Sequence, residues 1–494
     1  MEKIVVKYHD EVFCRLECDM STRYELHDYF KFRVPNYQFT PAFKKGRWTG
    51  YIHLFNPIKP LFHIGILNKL ETFCVDNNYE LVYEDKVSNI DITDEQIIKF
   101  IDSLDIHSNG NKLTVKDYQY AAAIEGIKNQ RRVILSSTGS GKSLIIYTLV
   151  MYALSRNKPV LLICPSTSLV EQMSSDFIDY ASNIPFDFDK ITHKIHSGAT
   201  KTSTKPLCIS TWQSLQNVDP EWFDRFSCVI VDEVHGSKAN VLRSILENCV
   251  NADMRFGLTG SLDDSKVHEL MIQSLFGKIV RVSSTKDLIE KGHLSDIHIK
   301  AIKLNYSKDT NEVMKKSQYA KEIAFLISHN KRNKFIRNLA LSLTGNTLIL
   351  YNYVEKHGDI LYEMIKEKAG DRKVFYIHGG VDAEDRETVR EIMEKETDCI
   401  ILASFGTMGT GTNLKKLHNI IFSSPTKSVI RVLQSLGRGL RKAEGKHKVD
   451  LYDIGDMLVT TKSKNHTFNH FIERLQIYTN ESFEYKLVEV QLEK

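Results

Sequence analysis

From Leu113 onward the chain repeats one rhythm, in which short continuous apolar runs of strand length alternate with amphipathic stretches of helix length. "RRVILSS", "PVLLICPS", "PLCIST", "CVIVDE" and "MRFGLTG" make one series. "NTLILYN", "RKVFYIH", "DCIILAS", "NIIFSS" and "KVDLYD" make a second, which begins after about Ser283. A strand apolar at every position is buried on both faces, as in a parallel sheet covered by helices. Two such series without sequence repetition predict two separate sheets joined by a linker.

The first ninety residues follow a different pattern. "KIVVKYH" and "VFCRLEC" alternate like paired strands, and "TRYELHDYFKF" has helical spacing. "LFHIGILNKLETFCVDNN" reads as a second helix, so the segment predicts a small α+β unit. In "TDEQIIKFIDSL", Thr93 and Gln96 form a capping-box signal for a helix start. The polar "HSNGNK" that follows reads as a linker. The expected boundaries are 1–90, 91–282 with a helical lead-in, and 283–494 with a helical tail. The pattern leaves open whether that tail, "HTFNHFIERLQIY", packs on its own domain or recruits a partner.

Composition changes this picture little. Over 494 residues, 42% hydrophobic and 26% charged residues are ordinary globular values, and a net charge of +4 permits a nucleic-acid partner without arguing for one. Cys164, Cys228 and Cys399 sit in apolar runs and read as small buried hydrophobes. Cys14 and Cys18 form a close pair with nothing nearby to complete a zinc set, and a reducing cytoplasm fits. No run approaches the roughly 18 apolar residues of a membrane span.

The chemistry begins at "SSTGSGKS", Ser136 to Ser143, between a strand and the helical run "LIIYTLVMYAL". This is the context of a phosphate-binding P-loop, although Ser136 stands where Gly is more usual. Backbone N–H groups of Ser137, Thr138, Gly139, Ser140 and Gly141 would close around phosphates at the helix N-terminus. Lys142 would reach the β- and γ-phosphates of ATP, and the Ser143 hydroxyl would ligate Mg²⁺. Further on, "CVIVDEVH" ends a buried strand with Asp232, expected in the magnesium shell, and Glu233, expected to direct the attacking water. These motifs establish NTP hydrolysis but not its use.

"QSLGRGLR" in the second series places Gln434, Arg438 and Arg441 on one predicted helix, with the two arginines three apart. An arginine on the developing γ-phosphate charge accelerates hydrolysis, and supplying it from a second domain would let the nucleotide control domain closure. At this point the chain, over roughly residues 113 to 455, resembles a superfamily 2 helicase of the DExH type. "KDYQ" resembles the adenine-reading glutamine motif, with Gln119 as reader. "CPSTSLVEQ", "HSG" and "STWQSL" resemble strand-gripping motifs and carry Ser166, Thr167, Gly198 and Thr211. "LTGSL" resembles the motif coupling the two sites, and "IHGG" and "GTGTNL" match later motifs through Gly379 and Thr410. "TGS" replaces the more usual Ser-Ala-Thr, and "GTN" stands where many members carry Gly-Ile-Asp. His235 reads either as a relay between Glu233 and the Gln434 helix or as a helix-start polar residue.

The whole chain further resembles the UvsW-type phage helicases of recombination and repair, through "YQFTPAFKKGRWTGYIHLF" ahead of the motor and through its length. The resemblance implies an α/β fold: two tandem RecA-like parallel-sheet motor domains preceded by a small α+β domain. It implies ATP and Mg²⁺ as cofactors, and unwinding and branch migration of forks, D-loops, R-loops and four-way junctions in recombination, repair and replication. Branched or duplex DNA, RNA–DNA hybrid, and recombination or single-strand-binding proteins are the implied partners of a monomeric motor in the cytoplasm, the host's if phage-encoded. A DExH RNA helicase, a duplex translocase that does not separate strands, and a nucleotide-gated clamp remain alternatives. Lys44, Lys45, Arg47 and Trp48, beside Tyr37, Phe39 and Phe43, read either as a nucleic-acid surface or as a small core wrapped in lysines.

Overall fold

The structure is a computed structural model that describes residues 2–34, 37–84, 91–184, 187–196, 198, 200–236, 239–262, 266–315, 317–379, 395–408, 416–425, 448–459 and 465–493. The chain forms two compact units, Met1–Ser136 with Gly141–Val282, and Ser283–Lys494 with Ser137–Ser140.

In the first unit, the strand alternation of the N-terminal segment buries Ile4 and Val6 on one strand and Cys14 and Leu16 on its antiparallel neighbour, with Val6 opposite Leu16. The four-stranded sheet runs Leu61–His63, Phe13–Glu17, Lys3–Tyr8, Glu80–Tyr83. Helices Met20–Tyr29 and Leu67–Asp76 close its core through Leu26, Leu70 and Phe73. The expected helix over 61–78 is therefore shorter than its sequence pattern: Leu61–His63 pairs with Phe13–Arg15 instead, and a single 3₁₀ turn follows before the helix starts. That turn docks on the neighbouring domain, where a Cβ on Gly65 would lie 2.3 Å from the Gln273 carbonyl oxygen. The Glu11 N–H donates to the Val250 carbonyl at 2.9 Å, the Glu11 carboxylate pairs with Arg131, and His63 Nε2 lies 3.0 Å from Glu247.

The Thr93 capping box forms, with both reciprocal hydrogen bonds to Gln96. The segment expected as a linker is instead a two-stranded hairpin, His107–Ser108 with Asn111–Lys112. Its turn is held by Asp179, which accepts from Ser108 Oγ at 2.8 Å and from the Asn109 N–H at 2.9 Å. Composition suggested a linker because Asn and Gly at a tight turn look like any polar loop until a partner is in place.

The first seven-stranded sheet runs Thr192–Ile195, Leu207–Thr211, Val160–Cys164, Cys228–Asp232, Met254–Thr259, Arg131–Ser136, Ile279–Ser283. Its central strands are buried throughout, the pattern the continuous apolar runs predicted. The second sheet, in the other unit, runs Lys373–Ile377, Cys399–Ser404, Thr347–Tyr351, Asn419–Phe422, Lys448–Met457, Asp296–Asn305, Tyr485–Gln491. The apolar runs missed its last two strands, because Asp296–Asn305 alternates and Tyr485–Gln491 is largely exposed at an edge. The tail helix His466–Asn480 packs on Lys448–Met457: Arg474 and Tyr478 both hydrogen-bond the buried Asp453. Among the described residues all eight cysteines are free, seven of them buried, and no helix is long and apolar enough to cross a membrane.

Candidate functional site

Three adjacent parallel strands bring the chemistry together. Arg131–Ser136 leads into the P-loop, Met254–Thr259 ends in the "TGS" motif, and Cys228–Asp232 ends at the carboxylates; Thr259 pairs with Leu135 and Asp232 with Leu258. Their carboxyl ends therefore lie side by side, where ligands bind in open parallel sheets. Gly139 and Gly141 take φ of 85° and 79°, a region L side chains rarely enter, and Gly141 caps the helix Lys142–Ser155. This leaves the first N–H groups of that helix turned toward the loop, the arrangement that receives phosphate. The Gln119 side chain sits against the same loop: its Oε1 accepts from the Lys116 N–H at 2.9 Å, and a Cβ on Gly141 would lie 2.6 Å from its Nε2.

Lys142 Nζ lies 3.3 Å from Glu233 Oε1, both side chains being largely buried. The Glu233 N–H donates to Asp232 Oδ1 at 3.0 Å, and Glu233 itself has φ of 51°, left-handed backbone that a glutamate adopts at a cost in strain. His235 Nδ1 hydrogen-bonds Thr259 Oγ1 and lies 3.3 Å from Glu233 Oε2, while the Thr259 hydroxyl donates to the Ser261 carbonyl at 2.8 Å. Thr259 Oγ1 also lies 3.4 Å from Glu233 Oε2, which ties the "TGS" motif to the glutamate. Burial and the neighbouring Glu233 charge push the Asp232 carboxyl up from its ordinary range, against the opposing pull of Lys142. Burial acts the same way on Glu233, but Lys142 and His235 outweigh it and hold that carboxyl low.

A buried aspartate and a largely buried glutamate, beside one lysine and His235, form a site that a further positive charge would stabilise. Carboxylate and hydroxyl oxygens, as on Asp232 and Ser143, are the donor type that a hard divalent cation takes, so these two side chains are the ones that could hold it. The Ser143 hydroxyl is itself engaged, lying 2.8 Å from the Tyr180 hydroxyl. No motif along the chain singles out Tyr180, because only the packing of its helix brings it to the P-loop.

Ser166 and Gly198 follow, and Thr211 ends, three neighbouring strands of the same sheet at the same edge. Ser166 Oγ caps the helix Thr167–Tyr180 by accepting from the Leu169 N–H, and Thr211 caps the next short helix through the Ser214 N–H. Gly198 is exposed, with φ of 83° and open space where a Cβ would be. Gly379 follows Lys373–Ile377 in the second unit, also facing open space. Thr410, Gln434, Arg438 and Arg441 lie outside the described residues.

On the N-terminal domain, Lys44, Lys45 and Arg47 are exposed and Trp48 is half-buried, its indole N–H donating to the Tyr51 carbonyl. Tyr37 and Phe43 meet edge to face at 4.7 Å, and the Arg33 guanidinium lies 4.5 Å from the Tyr37 ring centre. These aromatics stand apart from the domain's core, which is built on Phe30, Phe55, Phe62 and Phe73.

Two seven-stranded parallel sheets, the first with a P-loop and an acidic pair at its carboxyl edge, are the frame of a nucleoside-triphosphate-driven motor, and the family matches make its class helicase superfamily 2. Family models match in order along the chain: the N-terminal region of the DNA helicase UvsW over 3–84, the res subunit of type III restriction enzymes over 97–264, and the helicase conserved C-terminal domain over 330–443. The ATP-dependent DNA helicase UvsW of Enterobacteria phage T4 is 32% identical over 99% of this chain and all of its own length. Its crystal structure superposes with a TM-score of 0.54 at 30% identity, over 99% of this chain and 100% of that one. A DNA 3′–5′ translocase, XPB2 of Sulfurisphaera tokodaii, is 29% identical over 44% of this chain and 45% of its own. An HsdR fragment of a type I restriction enzyme from Vibrio vulnificus shares the fold, with a TM-score of 0.58 at 17% identity over 90% of this chain and 77% of its own. The chain belongs to the UvsW family of ATP-dependent DNA helicases.

Proposed function

We propose that this helicase acts on branched DNA, unwinding and branch-migrating forks, D-loops, R-loops and four-way junctions in recombination, repair and replication, in the cytoplasm of a host cell. One observation carries the reading: a whole-chain likeness to UvsW that includes the N-terminal domain, whose basic and aromatic loop lies exposed. A motor that only tracked duplex would have little use for an aromatic as exposed as Phe39 near Lys44, Lys45 and Arg47, whereas unpaired bases at a junction can stack on it.

In this reading Gln119 recognises adenine and the P-loop with Lys142 cradles the phosphates. Ser143 and Asp232 would hold Mg²⁺, which supplies charge stabilisation at the phosphates. Glu233, kept ionised by Lys142 and His235, orients the attacking water; Arg438 and Arg441 neutralise charge developing on the γ-phosphate, and Gln434 lies on their helix. Thr259 and His235 join Glu233 to the "TGS" motif, and Ser166, Thr167, Gly198, Thr211, Gly379 and Thr410 grip a strand.

The test sets ATP hydrolysis beside strand separation on a fork, a four-way junction, linear duplex DNA and duplex RNA. Hydrolysis and unwinding should both be strongest on branched DNA. Preference for RNA would overturn the proposal. A second reading is favoured by the match to a restriction-enzyme subunit and by the relative named a translocase: movement along duplex without strand separation. Hydrolysis on linear duplex without unwinding would select it. Replacing Lys44, Lys45 and Arg47 by Ala should weaken fork binding and lower the slope of log affinity against log salt by about 2–3, roughly one unit for each phosphate no longer neutralised. An unchanged slope would remove the N-terminal loop from the DNA interface.

A further inference from the structure

Tyr180 ends the 14-residue helix Thr167–Tyr180, and its hydroxyl lies 2.8 Å from the hydroxyl of Ser143, in the first turn of the P-loop helix. Three features fix it there. Its ring meets Tyr147, on the P-loop helix, edge to face at 5.4 Å, and Tyr147 in turn packs on Phe177 one turn back from Tyr180. The preceding residue, Asp179, is held by the His107–Lys112 hairpin of the same unit through Ser108 Oγ at 2.8 Å and the Asn109 N–H at 2.9 Å. The helix start is fixed by the Ser166 cap.

A serine hydroxyl that ligates a cation offers one lone pair to the metal and must keep its remaining lone pair and its proton suitably directed. On a free rotor that orientation costs entropy at every binding event. A phenol held by two helices removes the cost, in the way an outer partner fixes the orientation of a metal-ligating histidine. We propose that Tyr180 is a positioning residue for the magnesium-bound nucleotide: it orients the Ser143 hydroxyl toward the cation, and the 107–112 hairpin holds Tyr180 in place through Asp179. The proposal rests on the reading of Ser143 as a magnesium ligand. It also gives the hairpin a role, since loosening it would be felt at the P-loop.

The experiment measures equilibrium binding of a fluorescent ADP to the full chain, with Mg²⁺ titrated and with EDTA in its place. Tyr180→Phe keeps the ring packing and removes only the hydroxyl. It should weaken magnesium-dependent nucleotide affinity about tenfold, the low end for losing an outer partner of a metal ligand, and leave affinity in EDTA unchanged. A magnesium titration identical to the parent's, a tighter one, or an equal loss in EDTA would each overturn the proposal. Ser143→Ala separates the two levels. If Ser143→Ala loses the magnesium dependence and Tyr180→Phe does not, Tyr180 has no such role. If Ser143→Ala keeps it, the reading of Ser143 fails first. Should Tyr180→Phe prove unstable by thermal melting, Ser108→Ala decides. It leaves both hydroxyls in place and should shift the same magnesium-dependent affinity in the same direction but by less than Tyr180→Phe; an affinity equal to the parent's would overturn the proposal.

Discussion

Both motor units bury charged side chains, but they do so in opposite ways. On Lys448–Met457 of the second sheet, Asp453 and Asp456 are each matched by a fully buried arginine and a tyrosine. Arg474 and Tyr478 bind Asp453 at 2.7 and 2.8 Å, and Arg332 and Tyr306 bind Asp456 at 2.8 and 2.7 Å. At the carboxyl edge of the first sheet, Asp232 and Glu233 adjoin in sequence and share Lys142, and Asp232 is left with its carboxyl pushed up. A matched pair holds a fold together once it is formed, and an unmatched excess of one sign invites a ligand of the other. The difference separates architecture from chemistry more sharply than burial does, since Asp232, Glu233, Asp453 and Asp456 are all largely buried.

Three substitutions probe the contrast. The largest effect is expected at Glu233: Glu233→Gln should lower ATP turnover about 10²–10⁴-fold while nucleotide binding persists, the usual loss when a positioned base is neutralised. Turnover within a few-fold of the parent would mean that the excess charge serves something other than water activation. Next is Arg474→Ala, which strands Asp453 in the core and should cost about 3–5 kcal/mol of stability by chemical denaturation. A loss below about 1 kcal/mol would show that the pair is no more than a surface ion pair in its energetics. The smallest effect has the opposite sign. Asp232→Asn should raise stability at neutral pH by about 1 kcal/mol while activity falls, as happens when a site is relieved of its strain. The sign follows from the raised carboxyl: above its unfolded value of about 4 the folded state binds more protons, so the aspartate destabilises increasingly as pH rises toward its folded value. The gain in the variant should therefore vanish below about pH 4. A loss of stability at neutral pH would put Asp232 with the matched pairs of the second sheet.

Much of this was legible along the chain. Continuous apolar runs located the central strands of both sheets because double-sided burial leaves no room for alternation, as in Val160–Cys164 and Thr347–Tyr351. Edge strands such as Tyr485–Gln491 carry no such signal, since half their surface meets water. The P-loop sequence and the Asp232–Glu233 pair stood out because motifs of this kind constrain residue type at fixed local spacing. The N-terminal aromatics were not: whether Tyr37 and Phe43 formed a core or a surface depended on Phe30, Phe55, Phe62 and Phe73 filling that core first.

Local order along the chain was enough to specify the class of machine and to single out the Gly-rich loop and the Asp232–Glu233 pair beside it, because these rest on backbone geometry and side-chain chemistry within a few residues. Three other features came into being only with the folded chain. A polar stretch ahead of the motor is a hairpin clamped to Asp179, the tail helix is bolted to the second sheet through Arg474, and a tyrosine from another helix reaches Ser143. Those contacts join residues tens of positions apart, and packing of whole elements, rather than spacing along the chain, sets which of them meet.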